Sequence, residues 1–78
     1  MWQQSDNQLT RTFKFKNFAE ALAFVTEVGA VAESQGHHPT IILSWGSVIV
    51  TTTTHDQGNL ITDKDIKLTA AVDKIQLK

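Results

Sequence analysis

The sequence predicts an α+β fold in which an antiparallel sheet carries amphipathic helices on one face. Three observations predict it. Residues 9–16 alternate with a period of two, the mark of a half-buried strand. A helical pattern follows between Asn17 and Gly36. Two β-branched runs separated by Gly46-Ser47 then read as a hairpin, with a second helix after them.

In the first strand Leu9, Arg11, Phe13 and Phe15 share one parity, and Thr10, Thr12, Lys14 and Lys16 the other. Ser5-Asp6-Asn7 ahead of it is turn chemistry, so residues 2–4 are expected to form a short partner strand. Asn17 is placed as a helix N-cap, with Glu20 three residues later completing a capping-box pattern. Phe18, Leu22, Val25, Val28 and Val31 follow near helical spacing, and alanines at 19, 21, 23, 30 and 32 favour the helix. Gly29 weakens it by about 1 kcal/mol relative to alanine. The helix is expected over 18–35, with Gly36 as a left-handed stop and Pro39 barring continuation. The hairpin strands are 41–45 and 48–54, and 56–61 is a loop around Gly58. Thr62 caps the second helix, with Asp65 as a looser form of the same box. Leu68, Ala71, Val72 and Ile75 supply its apolar face.

The 78 residues allow one domain, spanning 1–78. A domain of this size has a thin core, and without cysteine neither a disulfide nor a Cys-based zinc site reinforces it. Subunit association is therefore an expected source of further burial. The net charge is −1 and the seven basic residues form no run, which argues against a nucleic-acid partner. The polar start Met1-Trp2-Gln3-Gln4 is not the pattern of a signal peptide, and no apolar run approaches the ~20 residues that span a bilayer. A cytoplasmic protein without a membrane partner is expected.

The chemistry-bearing residues lie at element boundaries. His37 and His38 follow the first helix, and His55 ends the run 48–54. Val48, Val50, Thr52 and Thr54 share one face of that strand, which sets His55 on the other. Glu33 stands four residues before His37, a spacing that joins them on one helical face if the helix nearly reaches that far. A carboxylate beside an imidazole favours its charged form and fixes its tautomer, which suits acid–base work near neutral pH. Plainer readings stand beside these. The histidines are equally those of a polar surface loop, Glu33 an ordinary solvated residue, and Thr51 to Thr54 a stretch of high β propensity. Trp45 is either a core residue or an exposed platform on which a flat ring stacks. No metal is expected, because adjacent histidines on extended chain point apart and no further acidic or Cys ligand has zinc-like spacing.

As a set, these residues resemble the signature of the pterin-4a-carbinolamine dehydratases. Glu33-Ser34-Gln35-Gly36-His37-His38-Pro39 has the acidic residue, three others and His-His-Pro. Trp45 is the aromatic after five more residues, Thr54-His55 the later histidine, and Asp65 the aspartate of the following helix start. The passage from Arg11 to Phe18 and the stretch Ala21 to Val25 are similar too, so the resemblance covers nearly the whole chain. It implies a four-stranded antiparallel sheet with helices on one face. It also implies association into homodimers or homotetramers, and no metal or organic cofactor. The implied activity is dehydration of 4a-hydroxytetrahydrobiopterin, or a related pterin, to the quinonoid dihydropterin, which recycles the cofactor of aromatic amino-acid hydroxylases. On this reading His37 and His55 are the acid–base pair and His38 orients the pterin. Glu33 and Asp65 orient or polarise, and Trp45 belongs with the substrate-binding residues. The chain starts near the first strand, so the family's N-terminal helix is expected to be missing, and the 56–61 loop is about one residue longer than usual. The implied alternative is a non-catalytic relative that binds protein as a coactivator or assembly factor.

Overall fold

The computed structural model describes residues 1–55 and 58–75. In chain order the elements are β1 (Gln3–Ser5), β2 (Gln8–Lys14), α1 (Phe18–Gln35), β3 (Thr40–Ser44), β4 (Ser47–Thr52) and α2 (Asp63–Asp73). The strands form one antiparallel sheet in the order β1-β2-β4-β3. Asp6 and Asn7 link β1 to β2 with positive φ of 51° and 61°, values that Asp and Asn tolerate in tight hairpins.

The strand parity of β2 and β4 decides what is buried. Phe13 pairs with Val48 and Arg11 with Val50. Phe13, Val48 and Val50 turn to the helical side and meet Ala21, Phe24, Val28 and Ala32 of α1 and Leu68 and Val72 of α2 in one core cluster. The buried face of α1 keeps Val28 of the expected set, with Val25 and Val31 packed against it, but is turned away from Phe18 and Leu22. Phe18 and Leu22 are exposed, and Phe24 with three small or β-branched neighbours faces the sheet. Small side chains at 21 and 32 let the helix backbone approach, and the bulky Phe24 fills the space between Phe13 and Phe15.

The caps follow the sequence closely. The Asn17 side chain accepts from the Glu20 N–H at 2.9 Å, while the Glu20 carboxylate reaches back to the Lys16 N–H at 3.1 Å. At the other end Gly36 has φ 63°. Its N–H meets the Glu33 carbonyl, and the His37 N–H meets the Ala32 carbonyl, the paired bonds of a Schellman stop. Gly36→Ala puts a Cβ into this left-handed conformation. It is expected to lower stability by about 1–2 kcal/mol, read as a shift in the urea midpoint at unchanged slope.

The strand boundaries shift by one or two residues: β1 is 3–5 where 2–4 is expected, β2 ends at Lys14 rather than Lys16, β3 is 40–44 rather than 41–45, and β4 is 47–52 rather than 48–54. The β3–β4 loop is Trp45–Gly46, not Gly46–Ser47, because Ser44 pairs with Ser47. Gly46 is needed where β2 leaves the sheet. Its carbonyl accepts the Phe15 N–H at 2.9 Å, and a Cβ on it would stand 3.1 Å from the Phe15 carbonyl oxygen. Strand β4 ends at Thr52, and Thr54 makes an isolated bridge with Leu60. Of the expected 56–61 loop, positions 56 and 57 lie outside the described residues. The last turn of α2 is tied to the β1–β2 side by Asp73, which accepts from the Trp2 indole N–H and from Arg11, each at 2.9 Å. No helix of the described residues is long and apolar enough to cross a membrane.

Candidate functional site

Three chain ends converge at Asp65: the end of α1, the end of β4 and the start of α2. Gly36 turns the chain back on leaving α1 and delivers His37 to this junction. Thr52 and Thr54 keep the inward parity of Val48 and Val50 past the end of β4. Thr62 caps α2 and sets Asp65 in its first turn.

The Asp65 carboxylate is fully buried and accepts four hydrogen bonds. Oδ1 receives His37 Nε2 at 2.6 Å and Thr52 Oγ1 at 2.7 Å. Oδ2 receives Thr54 Oγ1 at 2.7 Å and the Thr62 N–H at 2.9 Å. Burial by itself would raise the pKa of this carboxyl. The hydrogen bonds from His37, Thr52, the Thr62 backbone and Thr54 outweigh it and bring the pKa from 3.8 down to about 2. Asp65 is thus an anion at neutral pH. His37 Nε2 must carry the proton in their contact, which leaves Nδ1 as the nitrogen open to exchange. The His37 side chain keeps 11% of its surface accessible, so the held imidazole still reaches solvent.

His38 is paired differently. Its Nε2 lies 2.6 Å from Glu33 Oε1, and both side chains are well exposed. The expected Glu33–His37 pair is therefore not formed. The i, i+4 spacing holds only while the helix continues, and α1 stops at Gln35, after which Gly36 redirects the chain. The next residue, His38, swings back over Glu33 instead. His55, one residue beyond Thr54, is exposed and has Nδ1 2.8 Å from Asn59 Oδ1. Among the described residues its Nε2 remains open.

The structure therefore brings His37 and Asp65 into contact and pairs His38 with Glu33 on the same helix end, while His55 follows Thr54 in the chain and meets Asn59. It does not bring Trp45 to them within one chain. Trp45 is 72% exposed in the loop at the far end of β3. Five strand residues separate it from the Pro39 end, about 17 Å by strand rise. Thr52 and Thr54 were not foreseen as site residues. The signal was in their parity, since two hydroxyls on the same face as Val48 and Val50 must find buried partners. Among the described residues no group of three or more His, Cys, Asp or Glu side chains gathers as a metal site.

The family model described as pterin 4 alpha carbinolamine dehydratase matches residues 1–75. The chain belongs to the pterin-4a-carbinolamine dehydratase family. A relative from Chloroflexus aurantiacus, provisionally named a pterin-4-alpha-carbinolamine dehydratase, is 47% identical over 74 residues, covering 95% of this chain and 78% of its own. One of the same provisional name from Sulfolobus acidocaldarius is 37% identical over 75 residues, covering 96% and 81%. Among solved structures, a transcriptional coactivator/pterin dehydratase from Brucella melitensis superposes with a TM-score of 0.85 at 36% identity, over 92% of this chain and 78% of that one. A pterin dehydratase-like protein described as a RuBisCO assembly factor in the alpha-carboxysome gives 0.73 at 26% identity, over 94% and 83%. The fold is thus that of the family, a four-stranded antiparallel sheet with helices packed against it.

Proposed function

We propose that this chain dehydrates a 4a-hydroxytetrahydropterin, 4a-hydroxytetrahydrobiopterin or a close relative, to the quinonoid dihydropterin. The observation that carries the proposal is His37 held through Nε2 by a buried, ionised Asp65 in a member of this family. Dehydration needs an acid to protonate the 4a-hydroxyl, so that the C–O bond breaks with water as the leaving group. It needs a base to take the proton from the neighbouring ring nitrogen as the new double bond forms. Imidazoles perform both near neutral pH. His37 through Nδ1 and His55 through Nε2 are the proposed acid–base pair. His38, steadied by Glu33, orients the pterin. No metal or organic cofactor is used in this scheme. The hydroxypterin is supplied by an aromatic amino-acid hydroxylase reaction, in the cytoplasm and without nucleic acid as a partner.

A homodimer or homotetramer is part of the proposal. Strand β3 is a sheet edge of five residues, Thr-Ile-Ile-Leu-Ser, with no charge and with Ile42 half exposed, an edge suited to pairing. A second copy paired antiparallel about Ile42 would carry its Trp45 to the Pro39 end of this strand. In that arrangement Trp45 serves as a pterin-binding residue across the subunit boundary. Light scattering at several protein concentrations checks it: a monomer at all of them removes Trp45 from the site.

The deciding experiment is stopped-flow dehydration of a 4a-hydroxypterin generated in place, with wild type, His37→Ala and His55→Ala. Wild type is expected to accelerate product formation, and each variant to lose about a hundredfold, the scale of general acid–base help. Folded wild type no faster than buffer would reject the enzyme reading. The rival is then a protein-binding role, which the coactivator and assembly-factor names of the structural neighbours favour.

A further inference from the structure

Thr52 occupies a core position. It is 1% exposed and shares the face of Val48 and Val50, both fully buried. Valine would fill that space with less polar cost, because a buried hydroxyl is unfavourable unless it is hydrogen-bonded. Among the described residues the hydroxyl of Thr52 has one partner, Asp65 Oδ1, to which it donates at 2.7 Å. That oxygen is the one His37 Nε2 approaches at 2.6 Å.

Counting protons assigns the rest of the cluster. Thr54 gives its single hydroxyl proton to Asp65 Oδ2. The 2.7 Å contact between Thr54 Oγ1 and Thr62 Oγ1 must then run from Thr62 to Thr54. Thr62 Oγ1 in turn accepts the Lys64 N–H at 3.3 Å. The hydroxyl protons of Thr62 and Thr54 therefore point along one chain to Oδ2, and that of Thr52 points directly at Oδ1. A carboxylate oxygen has two lone-pair directions. On Oδ1 Thr52 fills one, and His37 is left the other.

We infer that Thr52 is a positioning residue for His37: it occupies one lone pair of Asp65 Oδ1, so that the imidazole is held in one ring orientation and one tautomer, with Nε2 protonated and Nδ1 presented to substrate. The consequence for turnover rests on the dehydratase reading above, whereas the tautomer does not depend on it.

The test uses full-length protein with 15N-labelled histidine. Long-range 1H–15N spectra are recorded at about pH 9, where imidazole is neutral, for wild type, Thr52→Val and Thr52→Ser. Wild-type His37 is expected to show a protonated Nε2 and a bare Nδ1. The valine variant is expected to show mixed tautomers and a kcat about tenfold lower, the scale of outer-shell partners, with KM changed less than about twofold. Serine is expected to restore both. A wild-type His37 protonated on Nδ1 overturns the inference without any variant. So does a folded Thr52→Val protein, or Thr52→Ala should valine prevent folding, that keeps the wild-type pattern. If wild type shows no dehydration at all, the dehydratase reading fails while the tautomer spectra still decide the role of Thr52.

Discussion

Asp65→Ala is expected to lower folding stability by about 3–5 kcal/mol, because it leaves several buried donors without their acceptor at about 1–3 kcal/mol each. The side chain is fully buried, and its loss strands two threonine hydroxyls, the His37 ring N–H and the N-cap amide of α2. Asp65→Asn does not rescue it. An amide keeps one acceptor oxygen and sets an NH2 against the hydrogens that now point at the other. Urea unfolding at neutral pH measures both variants, and a loss below about 1 kcal/mol for alanine would show that these donors find other partners. The wild-type protein carries a second signature of the same group. The folded pKa of about 2 lies below the ordinary 3.8, so the folded state holds this proton less tightly than the unfolded chain does. The linked stabilisation is fully present above about pH 3.8 and is lost as the pH falls through about 2. It amounts to about 2 kcal/mol. Comparing unfolding free energies across that window in wild type and Asp65→Asn isolates it: the wild-type slope should be steeper. Parallel curves would mean that Asp65 titrates alike in both states.

Much of this arrangement is legible in the sequence. Asn17, Gly36 and Thr62 mark helix ends through local chemistry that tertiary contacts rarely override, and all three act as caps. The parity of 48–54 carried through to the inward Thr52 and Thr54, and Asp65 belongs to the site for the same reason that it belongs to the capping box. What was not legible depends on chain reversal. Glu33 and His37 look like helical neighbours by number, yet one left-handed residue hands Glu33 to His38. The turn slipped by one residue because the β3–β4 register is settled by pairing Ser44 with Ser47 and by the Phe15 backbone lying against Gly46, neither of which is local. Trp45 is the plainest case. Its spacing from His-His-Pro fits the family signature, but extended chain carries it away from the histidines.

The apolar face of α1 is only partly legible from spacing, for a different reason, and this leads to the second large effect: Val28 lies in the core with Val25 and Val31 against it, whereas Phe18 and Leu22 are exposed. Spacing alone ranks Phe18, Leu22, Val25, Val28 and Val31 as a face and passes over Phe24, which falls between Leu22 and Val25 off that spacing. In the fold Phe24 is 3% exposed and is the contact point of an aromatic group. Its ring centroid lies 4.6 Å from that of Phe13 and 5.1 Å from that of Phe15, both tilted, and Trp2 meets Phe13 edge-on at 6.1 Å. Phe24→Ala removes the ring that joins α1 to β2, and such a truncation costs about 3–5 kcal/mol. A chain of this length holds only about 4–12 kcal/mol in all, so the variant should stand at the edge of unfolding. Phe18→Ala, on the exposed side of the same helix, should stay within about 0.5 kcal/mol. Thermal melts followed by circular dichroism compare the two, with a drop of at least about 15 °C expected for Phe24→Ala. Equal melting temperatures would return the buried face of α1 to the one that spacing alone selects. The contrast is also a probe of assembly: were Phe18→Ala to destabilise strongly, and more so at high protein concentration, its exposed flank would be an interface between copies of the chain.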